Sequence, residues 1–211
     1  LVSVKRAATR FIPQHVANTL WSLTTMLYYD ESIERVLLDR IVMLSFNEIE
    51  KRQILLALTY IKAYTGREHV LNLSVELEIT DSKLHEDVFK ILQELYPAAE
   101  KEYRLGVQGV LSVDCFIPAE NCIVEVHGPY HYTAEGKLTV KSEQHKRLLK
   151  KMGYEYIIVK YDDWYKLSGL DQKKGYLRQV ISSNQRNSIA LFSSAYESRL
   201  NPNARPFVPR A

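Results

Sequence analysis

Over the first 80 residues, apolar positions recur every three to four residues, the spacing of one face of a helix. Pro13 opens a first helix, where its missing N–H costs no bond. Val16, Leu20, Leu23 and Leu27 line its apolar side, with Trp21 beside them. A second helix starts near Ser32 and carries Ile33, Val36, Leu37, Ile41 and Leu44. Asn47 and Glu50 have the spacing of a capping box for a third, with Ile54, Leu55, Leu58 and Ile61 on its inner face. Gly66 is placed to end that helix. A shorter helix is predicted over Glu68 to Leu77. Leu84, Val88, Ile91, Leu92 and Leu95 predict another from Ser82 to Leu95, stopped by Pro97.

Beyond Pro97 the period changes. Short apolar runs predict strands at about Glu102–Leu105, Gly109–Phe116 and Cys122–His127. Ser142 to Met152 reads as a basic helix with Gly153 as its stop, Tyr154 to Lys160 as a buried strand, and Asp171 to Ile181 as a last helix. The fold class is therefore mixed α+β: an N-terminal helical segment over 1–80, an αβββαβ core over 82–181, and an irregular tail over 182–211. The tail ends in NPNARPFVPRA, and its three prolines and sparse apolar residues cannot bury enough surface to fold alone. It is expected to gain order on a partner.

The 211 residues, 46% hydrophobic and 25% charged, suit one large domain or two small ones. No run approaches the roughly 20 apolar residues of a membrane span, so no membrane partner is expected. The chain opens on Leu1 with no signal peptide, which reads as a mature or trimmed product. Cys115 and Cys122 are read as free thiols in a reduced compartment. The net charge of +3 hides an asymmetry: residues 1–136 carry −6 and residues 137–211 carry +9. The C-terminal third is thus the candidate surface for a polyanion.

Candidate chemistry gathers in LSVDCFIPAENCIVEVHGPYHY, from Leu111 to Tyr132. Strand alternation puts Ile123, Glu125 and His127 on one face and Cys122, Val124 and Val126 on the other. Asp114 lies inside the preceding strand, where packing has no need of a carboxylate. A zinc site from Cys115, Cys122, His127 and His131 is not expected: the spacing fits no common finger, and Cys122 faces away from His127.

An Asp, then ten intervening residues, then Glu-x-His is similar to the P-D-(D/E)-x-K nuclease core. GPYHY, HKRLLKKMGYEYIIVKYDDWYKL and KKGYLRQVI then resemble the RAP domain over about Ser82 to Ile181. The resemblance implies an endonuclease-like core whose Asp and Glu would hold a divalent metal. Catalytic residues, if the site is active, would be Asp114, Glu125 and His127 with Mg²⁺ or Mn²⁺, and Glu86 could add a third acid. His127 stands where the nuclease has Lys, and a neutral imidazole neutralises a developing phosphorane less well. No resident metal or cofactor is therefore expected, and binding is the stronger reading.

Lys146 and Lys150 share one helix face, Arg147 and Lys151 lie beside them with His145, and Lys137 and Lys141 precede. Tyr130, His131 and Tyr132 stand next to the acidic pair, and Tyr154, Tyr156, Tyr161, Trp164 and Tyr165 follow. Cations on phosphates and rings on unpaired bases suit single-stranded RNA. For Tyr130 and Tyr132 stacking and packing both stay open, whereas Trp164 reads as an anchor for the last helix. PQHVANTLWSL resembles the helical repeats that precede RAP domains, so the first segment is the end of such an array, a cap on the core, or a plain helical subdomain. The resemblance implies a mitochondrial protein, with the plastid as alternative. Its expected partners are rRNA or another organellar RNA and the neighbouring proteins of a ribonucleoprotein such as a mitoribosome. The alternative is an organellar endoribonuclease.

Overall fold

The computed structural model describes residues 6–76 and 82–183. Its N-terminal part holds α1 (Pro13–Thr25), α2 (Glu31–Val42) and α3 (Glu48–Thr65). Each start has a local cause. Pro13 is the first residue of α1, the Asp30 carboxylate accepts from the N–H groups of Ser32 and Ile33, and Asn47 and Glu50 form the reciprocal capping box of α3. Gly66 ends α3 in the left-handed conformation at φ 75°, which a side chain would resist.

The helix expected over Glu68 to Leu77 is absent from its described part: residues 66–76 are irregular. The reason is a period of two. Leu71, Leu73 and Val75 are half-buried while the residues between them are exposed, an alternation that only extended chain can present to a core.

The second part follows the expected αβββαβ order. Ser82 caps α4 (Lys83–Leu95), accepting from the His85 N–H. Then come β1 (Glu100–Leu105), β2 (Leu111–Ile117), β3 (Cys122–His127), α5 (Val140–Lys151), β4 (Glu155–Lys160), the single turn α6 (Tyr161–Trp164) and α7 (169–183). The sheet order is β1-β2-β3-β4. The first three strands are antiparallel neighbours, and β4 runs parallel to β3 with His127 opposite Lys160. The class is mixed α+β, and residues 184–211, most of the tail, lie outside the described residues.

Every residue of β3 is buried, because both faces of the sheet are covered. On one side Cys115, Cys122, Val124, Val126 and Val159 pack against Val88 and Leu92 of α4, Trp164 of α6 and Leu177 of α7. On the other, Phe116, Ile123 and Tyr156 meet Leu148 and Leu149 of α5 together with Leu55 and Tyr60 of α3. The helical segment and the sheet therefore share a core. Tyr60 Oη donates to the Gln144 carbonyl on α5 at 3.0 Å. Among the described residues no helix is long and apolar enough to cross a membrane.

Candidate nucleic-acid interface

The acidic centre forms where β2 and β3 part. Their pairing is last seen at Cys115 opposite Val124, and the Asp114 side chain replaces the next rung, its Oδ2 accepting from the Val126 N–H at 2.7 Å. Burial, then the neighbouring Glu125 carboxylate, hold the Asp114 carboxyl well above the ordinary range. Glu125 is 7% exposed, with Oε1 3.1 Å from Nε2 of His145 on α5. His85 arrives from α4: its Nδ1 is 3.7 Å from Asp114 Oδ1, and its Nε2 lies 3.3 Å from the Val126 carbonyl oxygen. A carbonyl only accepts, so Nε2 is the donor there. The Nδ1 is buried and has no hydrogen-bond partner among the described residues.

Ligand atoms of His85, Glu102 and Asp114 lie within 4.8 Å of one another. An imidazole oriented by a backbone carbonyl beside two carboxylates fits a divalent cation, Mn²⁺ better than Mg²⁺ because of the nitrogen donor. Glu86, the third acid considered from sequence, is exposed and ion-paired with Lys101 on β1. Helix phase decides this: α4 buries Leu84 and Val88, and residue 85 rather than 86 is turned toward the end of β3.

His127 sits beyond the acids and is 1% exposed. Its Nδ1 is 3.4 Å from the Tyr132 hydroxyl and its Nε2 is 3.3 Å from that of Tyr156. The His131 ring stacks on it at 4.1 Å. Burial, with His131 adding to it, pushes the His127 pKa down to about 4, so the ring is neutral at pH 7. A base that weak contributes little to activating water near neutrality. His131 is held in turn by Ser142 Oγ, 3.2 Å from its Nδ1.

The cations of α5 and of the loop before it are engaged to different degrees. Arg147 donates to the Thr25 carbonyl of α1, Lys151 is exposed but lies over the Tyr64 ring at 5.3 Å, and Lys146 pairs with Glu143 at 3.6 Å. Lys137 in the preceding loop and Lys141 and Lys150 on the helix are exposed. On α7, Lys173 and Lys174 pair with Asp87 and Glu94 of α4. The accessible charge is thus narrower than the sequence total.

Among the aromatic residues, Tyr130 is 96% exposed on the turn after β3, and Tyr161 and Tyr165 are exposed at α6. Trp164 is fully buried with Leu177 of α7, its ring meets Tyr176 of α7 edge-on at 6.2 Å, and its Nε1 donates to Asp87 of α4 at 2.8 Å, so it anchors the last helix as expected. Tyr154 and Tyr156 pack in the core. Cys115 and Cys122 lie on the sheet face opposite Phe116, Ile123 and Tyr156, and burial pushes both thiols up, Cys122 to about 12. Sequence reasoning passed over His85, Glu102 and Lys160. His85 had one signal, a polar residue directly after the buried Leu84.

The sequence model of the RAP domain matches residues 124–180, from β3 into α7. The model of the Ataxin-2 C-terminal region matches residues 195–211, outside the described residues. No curated protein matches the chain. The match runs from within β3 through the basic helix, β4 and the buried tryptophan, and this chain carries a RAP domain there.

Proposed function

We propose that this chain is an organellar RNA-binding protein, a structural component of a mitochondrial ribonucleoprotein such as the mitoribosome, with rRNA as its partner. A RAP domain implies a nucleic-acid-binding role. The observation that carries the reading to single-stranded RNA is that Lys137, Lys141 and Lys150 and the ring of Tyr130 are all exposed, cations for phosphates and a ring for a base. The helical segment packs against α5 and the sheet through one shared core. The 182–211 tail, with Arg186, Arg199, Arg205 and Arg210, is the arm proposed to meet neighbouring proteins. The compartment rests on the family resemblance, and the plastid is the alternative. Sequencing the RNA that copurifies with the native protein tests the proposal. Enrichment of mitochondrial rRNA is the expected result, and RNA-free protein at low salt removes it.

A metal-dependent endoribonuclease is the second reading, favoured by the His85, Glu102 and Asp114 cluster. These residues, with Glu125 near, would hold Mg²⁺ or Mn²⁺, which would polarise a phosphate and its attacking water. The low basicity of His127 counts against turnover. Incubation of the purified protein with single-stranded RNA and either ion separates the two readings.

A further inference from the structure

The parallel strands β3 and β4 end side by side at His127 and Lys160, and the chain leaves them in different directions. After β3 it makes the Gly128–Pro129 turn and folds into a loop closed by the Tyr132–Leu138 bridge and the Thr139 N–H to His131 carbonyl bond of 2.9 Å. After β4 it enters α6. A cleft of about 350 Å³ lies between them, walled by Tyr132, Thr133, Lys160, Tyr161 and Asp162. Clefts outside the carboxyl ends of parallel strands are where α/β sheets take ligands. This volume stands at the small end of the range of about 300–1,000 Å³ for small-molecule sites.

The walls are prepared for such a guest. The Tyr132 hydroxyl reaches the buried His127, which fixes the ring. The Lys160 ammonium lies 5.5 Å over the centre of that ring, so the charge is held at the cleft. Tyr161 is 42% exposed and leans on Tyr165 at 4.6 Å between ring centres. We propose that this cleft seats one nucleobase drawn out of a single-stranded RNA, stacked on tyrosine, with its phosphate on Lys160. The proposal rests on the RNA-binding reading and adds a pocket to it. Contacts along α5 would set register by charge alone, whereas the cleft would grip a base.

The test is photocrosslinking of the full chain to a 4-thiouridine-containing single-stranded RNA, with the adducts mapped by mass spectrometry. Adducts on Tyr132 or Tyr161 are expected, and adducts confined to α5 overturn the cleft while leaving RNA binding in place. In anisotropy titrations, Tyr161→Ala should lower affinity about tenfold with an unchanged salt slope, as stacking predicts. Lys160→Ala should lower the slope by about 0.7, one phosphate of a single strand. Unchanged affinity in both variants also overturns the proposal. If either variant melts early, the wild-type crosslink map decides. Wild-type protein that neither crosslinks nor shifts anisotropy at low salt removes the RNA-binding reading itself.

Discussion

The Arg147 guanidinium donates from Nη2 to the carbonyl oxygen of Thr25 at 3.1 Å, joining α5 to the last residue of α1 across 122 positions. A carbonyl in the last turn of a helix has no partner within it, and a cation there also meets the negative end of the helix dipole. Beside this bond, Tyr60 of α3 donates to Gln144 of α5. The basic helix is therefore a structural joint as well as a candidate RNA surface.

Arg147→Ala should lower stability by about 1.5–3 kcal/mol, the usual worth of a hydrogen bond to a charged group. Urea unfolding of the whole chain measures it. Stability unchanged within a few tenths, together with weakened RNA binding, would move Arg147 back to the interface.

Changing Lys137, Lys141 and Lys150 together to Ala should leave stability nearly unchanged, because all three are exposed. The slope of log affinity against log salt for single-stranded RNA should fall by up to about 2, at roughly 0.7 per phosphate released. A slope equal to the wild-type value takes these lysines out of the contact.

These two predictions separate cations that the sequence could not separate. Lysine content and helical spacing on α5 are local, and so were legible, as were the Asn47–Glu50 box, the Gly66 stop, the start of α4 near Ser82 and the bounds of β3. The engagement of Arg147 and Lys151 depends on residues more than 80 positions away, Thr25 and Tyr64. The acidic centre shows the same division. Alternation along β3 placed Glu125 with His127, but the phase of α4, set by Leu84 and Val88 packing, chose His85 over Glu86. The segment after Gly66 misled for a different reason. Leu71, Leu73 and Val75 are few enough to read with either period until a core decides between them.

The purified protein should not cleave single-stranded RNA with Mg²⁺ or Mn²⁺ near neutral pH. The carboxylates and His85 can hold an ion, yet His127 lies between two phenols with its basicity suppressed. Cleavage that is lost in Glu125→Gln would falsify this and establish the nuclease reading.

His127 should also leave a mark on the pH dependence of stability. In the unfolded chain it titrates near its ordinary 6.5, and in the fold near 4. Between those values the unfolded state binds the proton and the folded state does not, so acidification through that window favours unfolding. The contribution is fully present above about pH 6.5, is lost as pH falls toward 4, and changes no further below it. Asp114 acts with the opposite sign, because its raised carboxyl pKa adds stability at low pH that is lost as pH rises through the folded value. The two partly cancel in the wild type, and the comparison must be with a variant that removes one of them. His127→Gln keeps a polar group for the Tyr132 and Tyr156 hydroxyls and does not titrate. The stability difference between wild type and this variant, from urea unfolding, should shrink by about 2 kcal/mol from pH 7 to pH 4.5, at 1.36 kcal/mol per unit of pKa difference. A difference that stays constant over that range would mean that His127 takes up its proton in the folded state as readily as in the unfolded one.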